Sequence, residues 1–408
     1  MFRLLAHLLV CAILCSCVWN ETADNPDFLP LDDSEYPYAD LPRLVIETED
    51  FAQIRDRETE IPAKLQIWAE DAPESEILNL TLRGRGNSSF TGMPKPSYKI
   101  EFEKKQEMFG MPKDKDWALI ANSADKTLLK NFITYKLADW LGDDYSPRCT
   151  FVELYLNRQY QGVYLLTETV KVGEHRVNIP KADSSFLLER GPTEYGGEHF
   201  VVTERGTTFC IKYPKNPDFS DKSLIKDVLS KFEKLLNDSN HDKNVPDLLD
   251  FEDYLRYYWI QELSKNMDGA FRRSIFLTWQ KGTPVRLGPV WDFDVAYGNW
   301  TADTLRTVTD WYIRPSGWNG LIFKQEKYWK EAVQYWKEHR EFLATFPDSI
   351  RKYSKALEPA THNEFKRWPV LENTETWTYK EAYDSYGEAV DSLNSWINQR
   401  MDWIDHHL

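Results

Sequence analysis

Apolar and polar residues alternate along this chain in two regimes. Between residues 41 and about 215, apolar positions recur at every second residue in short runs, the period of half-buried strands. The pattern predicts strands over 41–48, 63–68, 77–83, 97–102, 117–121, 151–156, 162–168, 185–189 and 209–214. In the run 97–102, Tyr98, Ile100 and Phe102 face inward and Ser97, Lys99 and Glu101 face the other side. One helix interrupts them, from Lys126 to about Leu141, with Asn122–Asp125 as its cap. From about 220 the apolar spacing changes to three and four. Helices are predicted over 224–236, 250–265, 320–323, 328–340, 341–357 and 379–406. The fold class is α+β, with a β-rich N-terminal part and a helical C-terminal part.

Inside the helical part the period of two returns once. Residues 274–279 read as a strand, 280–283 as a tight turn and 285–287 as the returning strand. Asp268 stands just before this hairpin; Asp292 and Asp294 stand just after it. A hairpin brings its open ends together, so the three carboxylates are expected to converge. On extended chain both side chains of an Asp-x-Asp pair point to one side. Two such carboxylates can hold a divalent cation, and a third can serve as a base. The same residues also fit an ordinary Asx-turn followed by a buried Trp and solvated acids. Upstream, residues 84–90 form a loop of Gly and small polar residues that can offer N–H groups to an anion, with Arg85 as a clamp. Lys99 and Lys95 compete as further phosphate contacts; a plain β-turn and solvated lysines are the alternatives.

Composition narrows the function. With 408 residues, 16 Trp and 21 Tyr, the chain can build a large core. The abundance of aromatics also suits a glycan-binding surface. A formal charge of −15 argues against nucleic-acid binding and against a polybasic membrane contact. Residues 1–17 read as a signal peptide ending in Leu14-Cys15-Ser16-Cys17, which resembles a lipobox with Cys17 as the lipid-bearing residue; ordinary signal cleavage is the alternative. The acidic, Pro-containing stretch 18–40 reads as a flexible tether. Residues 41–408 form the domain, with a β-rich lobe over about 41–215 and a helical lobe over about 220–408. The expected location is the cell envelope, at the outer membrane or cell surface, with Cys17 as the sole membrane attachment. Cys149 and Cys210 either form one disulfide or stay as two free thiols.

A β-rich part with one helix, followed by a helical part entered through an acidic hairpin, is the element order of a two-lobed nucleotide phosphotransferase. The sequence also resembles the CotH kinase family of atypical protein kinases. The resemblance rests on Arg85-Gly86-Asn87-Ser88-Ser89-Phe90, Lys95-Pro96-Ser97-Tyr98-Lys99-Ile100, Trp117-Ala118-Leu119-Ile120-Ala121-Asn122, Asp125-Lys126 with Lys130-Asn131, Gly162 to Glu168, Asn266-Met267-Asp268-Gly269 and Pro289-Val290-Trp291-Asp292-Phe293-Asp294. It implies a kinase-like fold that uses ATP with Mg²⁺ or Mn²⁺ and phosphorylates Ser or Thr of an envelope protein. By it Asp268 is the catalytic residue, and Asp292 and Asp294 hold the metal. Arg85 and Lys99 are expected to contact phosphate; from position along the chain alone, Glu168 is expected to orient a basic residue and Glu189 to lie near the nucleotide base. Arg273 stands five residues after Asp268, where many members carry Asn; a guanidinium cannot ligate a metal but can contact phosphate. Two other readings use the same sequence. One is a non-catalytic binding module for a cell-surface glycan or protein partner, and the other is a calcium-stabilised structural protein.

Overall fold

A computed structural model describes residues 28–70, 72–182, 184–191, 199–238, 245–374 and 381–408. The signal peptide, Cys17 and residues 18–27 lie outside the described residues. So do residues 379 and 380, where the last helix was expected to start.

Seven strands close into a barrel: β1 (Arg43–Thr48), β2 (Ile61–Trp68), β3 (Leu78–Arg85), β4 (Ser97–Met108), β5 (Met111–Ile120), β6 (Cys149–Leu156) and β7 (Gln159–Glu168). Neighbours pair antiparallel except β1 with β6, which run parallel and seal the barrel. The inward alternation of 97–102 holds: Tyr98, Ile100 and Phe102 fill the barrel with Leu44, Leu65, Leu82, Trp117, Leu154 and Leu166. β4 runs six residues beyond the predicted Phe102 and turns into β5 at Phe109 and Gly110, with φ of 51° and 76°. Positive φ at both central positions gives the turn the twist of its strands. The extension carries Glu103, Lys104, Lys105 and Glu107, so it has no apolar face to betray it in the sequence.

The remaining strands form a second sheet, in the order β12-β11-β8-β10-β9. They are β8 (Ser185–Arg190), β9 (Phe200–Val202), β10 (Thr208–Tyr213), β11 (Ile275–Gln280) and β12 (Arg286–Leu287). β11 and β12 are the predicted acidic-ended hairpin. β11 pairs with β8 from Ile275 opposite Arg190 to Gln280 opposite Ser185. β8, β9 and β10 therefore share their sheet with the hairpin, and their core with the helices, rather than joining the barrel. That moves the structural division from about 215 to the stretch after β7.

The helices are α1 (Ser88–Thr91), α2 (Lys130–Trp140), α3 (Phe219–Leu236), α4 (Val245–Leu248), α5 (Phe251–Ser264), α6 (Asp303–Arg306), α7 (Gly317–Ile322), α8 (Glu326–Ala344), α9 (Phe346–Arg367) and α10 (Tyr386–His407). α2 starts four residues later than predicted. Asp125 caps it from a distance: its carboxylate accepts the Lys130 N–H at 2.8 Å and the Lys130 ammonium at 2.8 Å. Leu128, at φ 59°, turns the chain between them. The expected break at 340–341 falls instead at Thr345, before Phe346 and Pro347, and α9 continues through Pro359. No described helix is long and apolar enough to cross a membrane.

Two contacts correct the sequence reading. Residues 28–40, expected to be tether, are docked on the domain. Phe28 and Ala39 are buried, Tyr36 stacks on Tyr160 at 4.4 Å, and Asp33 pairs with Arg43 at 3.0 Å. Lys95, considered as a phosphate contact, is buried between barrel and helices. Its ammonium lies 2.7 Å from Glu364 on α9, whose other oxygen accepts the Val163 N–H at 2.7 Å. Cys149 and Cys210 are free thiols.

Candidate functional site

α5 delivers the chain to the site. Lys265 ends that helix in the left-handed region, at φ 50° and ψ 43°, a usual helix stop. Asn266 then joins the two ends of the hairpin. Its Nδ2 donates to Gln261 Oε1 at 3.0 Å and to the Asp292 carbonyl at 3.3 Å, and its Oδ1 accepts the Asp268 N–H at 3.2 Å. A Cβ on Gly269 would stand 2.1 Å from Gln261 Oε1. Only glycine leaves that amide in place to hold Asn266.

The segment between β12 and Asp294 is not extended. Asp292 has φ 70°, so the alternation expected of an Asp-x-Asp pair on a strand does not apply. Side chains fix it instead. The Ser274 hydroxyl donates to Asp292 Oδ2 at 2.9 Å. The N–H of Phe293, between the two acids, donates to Asn131 Oδ1 at 2.7 Å. Asn131 Nδ2 in turn donates to Asn122 Oδ1 at 3.1 Å. Asn299 Nδ2 donates at 2.6 Å to the carbonyls of both Asp294 and Ala124. Residues 122–131, which follow the barrel strand β5, thus clamp the acidic segment.

The carboxylates face a cleft of about 890 Å³ between barrel and second sheet. Burial, then repulsion from Asp292, pushes the Asp268 carboxyl up to about 7, against the pull of Arg273 and Arg272. Asp294 is driven well above the usual carboxylate range by burial, then by Asp292, Asp268 and Asp125. Acids that repel one another at the edge of a low-dielectric pocket favour a cation between them. Asp268 Oδ1 is buried without a hydrogen bond. Among the described residues, however, no group of three or more His, Cys, Asp or Glu side chains is placed to hold a metal by itself. The three carboxylates share a cleft but do not make a closed cage. What fits is an ion held by one or two carboxylates, with its other positions taken by substrate oxygens and water, the usual arrangement for Mg²⁺.

Six cationic side chains also line the cleft: Arg57, Arg83, Arg85, Lys212, Arg272 and Arg273. The Arg85 guanidinium lies 4.8 Å over the Trp291 ring, and Tyr135 stacks on the same ring at 5.7 Å. Burial lowers the Arg85 pKa, and Asp292 is the foremost charge opposing that shift. Arg57 donates to Asn87 of the loop, and Arg83 donates to the Arg57 carbonyl. An aqueous groove with acids at one point and guanidinium groups around them suits a polyphosphate carrying a divalent ion.

Of the residues singled out from sequence, Asp268, Asp292, Asp294, Arg85 and Glu189 line this cleft. Glu189 there pairs with Lys212 at 3.1 Å. Lys99 and Glu168 do not line it. Lys99 is held on the barrel by Glu101 at 2.6 Å and Asp116 at 3.1 Å. Glu168 is fully buried and holds Arg148 at 2.8 Å and Arg176 at 3.2 Å. Sequence reasoning gave no role in the site to Asn131, Asn122, Asn266 or Ser274. The signals for the first were its place in the Lys130-Asn131 motif and an amide next to the apolar face of a predicted helix, where burial demands a partner.

The chain matches the CotH kinase protein family over residues 82–404, which takes in most of the barrel, the second sheet, the cleft and all but the end of α10. No curated protein sequence matches it. A family match of this extent, running through the loop at Arg85 and the acidic hairpin, places the chain in the CotH kinase family.

Proposed function

We propose that this protein is an exported phosphotransferase that moves the γ-phosphoryl group of ATP to a Ser or Thr hydroxyl of an envelope protein. The carrying observation is the cleft itself, where Asp268, Asp292 and Asp294 meet amid six cationic side chains. The barrel and the helical part then act as the two lobes of a kinase-like fold, with nucleotide between them. A lipid on Cys17 would hold the domain at the outer membrane or cell surface.

Asp292 and Asp294 would hold Mg²⁺ or Mn²⁺. When bound, the ion neutralises charge on the nucleotide phosphates. Arg85, braced on Trp291, binds a phosphate oxygen. Asp268 accepts the hydrogen bond of the acceptor hydroxyl and takes its proton as the new P–O bond forms and ADP leaves. Burial favours the protonated form of the Asp268 carboxyl, which suits that exchange. Glu189 and Lys212, paired at 3.1 Å, line the same cleft.

The reading is tested by thermal shift with nucleotides and divalent metals, and by transfer of labelled phosphate to envelope proteins. ATP with Mg²⁺ or Mn²⁺ should raise the melting temperature of the wild type and not of Asp292→Ala. Asp268→Ala should keep the shift and lose transfer. A wild type that neither shifts nor transfers phosphate with any metal would overturn the proposal and favour a binding module.

A further inference from the structure

Arg273 occupies a defined place in the cleft. The loop after Asp268 curls back on itself, because the Asp268 carbonyl accepts the N–H groups of Arg272 at 3.1 Å and Arg273 at 3.4 Å. Phe271 and Ser274, at φ 59° and 56°, flank the turn. Phe271 anchors it by packing 4.7 Å from Trp318. The curl sets Arg273 Nε 3.3 Å from Asp268 Oδ1. The next residue, Ser274, donates to Asp292. Consecutive residues of one anchored loop therefore address both ends of the acidic hairpin, one with a fixed positive charge and one with a hydroxyl.

The count of oxygen ligands bears on what can join them. Two divalent ions side by side need a bridging set of carboxylate or amide oxygens. Here no three such acids are placed to hold an ion among the described residues, and the space beside Asp268 is taken by a guanidinium. A guanidinium has five N–H donors and no lone pair to give a metal, yet it carries a permanent charge and matches phosphate oxygens.

We infer that Arg273 is the second cation of the site, so that the cleft takes one divalent ion with its nucleotide rather than two. The inference rests on the phosphotransferase reading. In it, Asp292 and Asp294 hold the single ion. Arg273 compensates Asp268 and supplies the positive charge that a second ion would otherwise bring to the phosphates.

The test counts metal. Mn²⁺ bound to the full chain is measured by electron paramagnetic resonance and calorimetry, with a non-hydrolysable ATP analogue at saturation. The wild type should bind about one ion per chain. Arg273→Asn places an amide oxygen where the guanidinium was, and should raise the count toward two at millimolar Mn²⁺. Arg273→Lys keeps the charge and should stay at one, and melting without ligand checks that each variant folds. Two ions per wild-type chain, or an unchanged count in a folded Arg273→Asn, would overturn the inference and leave the phosphotransferase reading standing. A wild type that binds neither Mn²⁺ nor nucleotide would overturn both.

Discussion

Replacing Asn131 by Ala should cost stability and loosen the acidic segment together. Asn131 is 2% exposed. Its amide satisfies the Phe293 N–H at 2.7 Å and the Asn122 side-chain oxygen at 3.1 Å. Alanine removes the protein partner of both groups, which are buried. An orphaned buried donor or acceptor costs about 1–3 kcal/mol. Two of them give a loss of about 2–6 kcal/mol, against a typical total of about 5–15 kcal/mol. The variant should still fold at low temperature. Urea unfolding followed by tryptophan fluorescence should show an earlier midpoint with an unchanged slope. Because Phe293 sits between Asp292 and Asp294, Mn²⁺ affinity in the folded variant should fall by at least about tenfold, equivalent to about 1.4 kcal/mol. A midpoint shift worth under about 0.5 kcal/mol, the scale of an ordinary surface substitution, with Mn²⁺ binding intact, would refute the clamp.

Two further perturbations lie away from the cleft. Burial, outweighing Arg256 at 3.5 Å, lifts the Asp143 carboxyl to about 7 from an ordinary 3.8. The folded state then holds a proton that the unfolded state releases near pH 4, so wild-type stability should fall as pH rises from about 4 to 7 and level off above. Asp143→Asn should lack that slope. It should match the wild type near pH 4 and exceed it at pH 8 by up to about 4 kcal/mol; parallel stability–pH curves would refute this. Lys95→Met should strand the buried Glu364 carboxylate, whose only close cation is Lys95 at 2.7 Å among the ion pairs of the described residues. The expected loss is about 3–5 kcal/mol. Lys95→Met with Glu364→Gln should recover at least half of it, since the Gln oxygen can still accept the Val163 N–H; no recovery would count against an ion-pair origin.

Strands were legible wherever one face is buried. Each predicted strand from 41 to 214 has its counterpart, because a period of two is written directly in residues such as Tyr98, Ile100 and Phe102. The reading failed where that cause is absent. β4 continues through residues that project mostly into solvent, and its pairing with β5 comes from backbone bonds that leave no trace in side-chain type. The partition also failed. Nothing in residues 185–190 says that they pair with 275–280 rather than with β7, since all three runs are apolar. Sheet membership here is decided by a contact some 90 residues away, after the helices α3 and α5 have filled the space between.

The site divides along the same physical line. Its charges were legible, because a carboxylate near a hairpin end must be paid for in some way and so marks itself. Its geometry was not. An extended Asp-x-Asp would bring the acids together by a route the chain does not take, since Asp292 is left-handed. What holds the acids is Asn131, 162 positions from Phe293 in sequence, and Asn266, which binds Asp292 across 26. Neutral amides are cheap to bury once paired, and they carry no charge to advertise the pairing. The two phosphate candidates that fell away, Lys99 and Lys95, show the converse. Both found carboxylates nearer than the cleft, on the barrel wall and on α9. A cation in a chain this rich in acids belongs to the first carboxylate its fold brings within reach. Arg273 is placed in the cleft, where neither lysine is, because its first carboxylate is Asp268 itself.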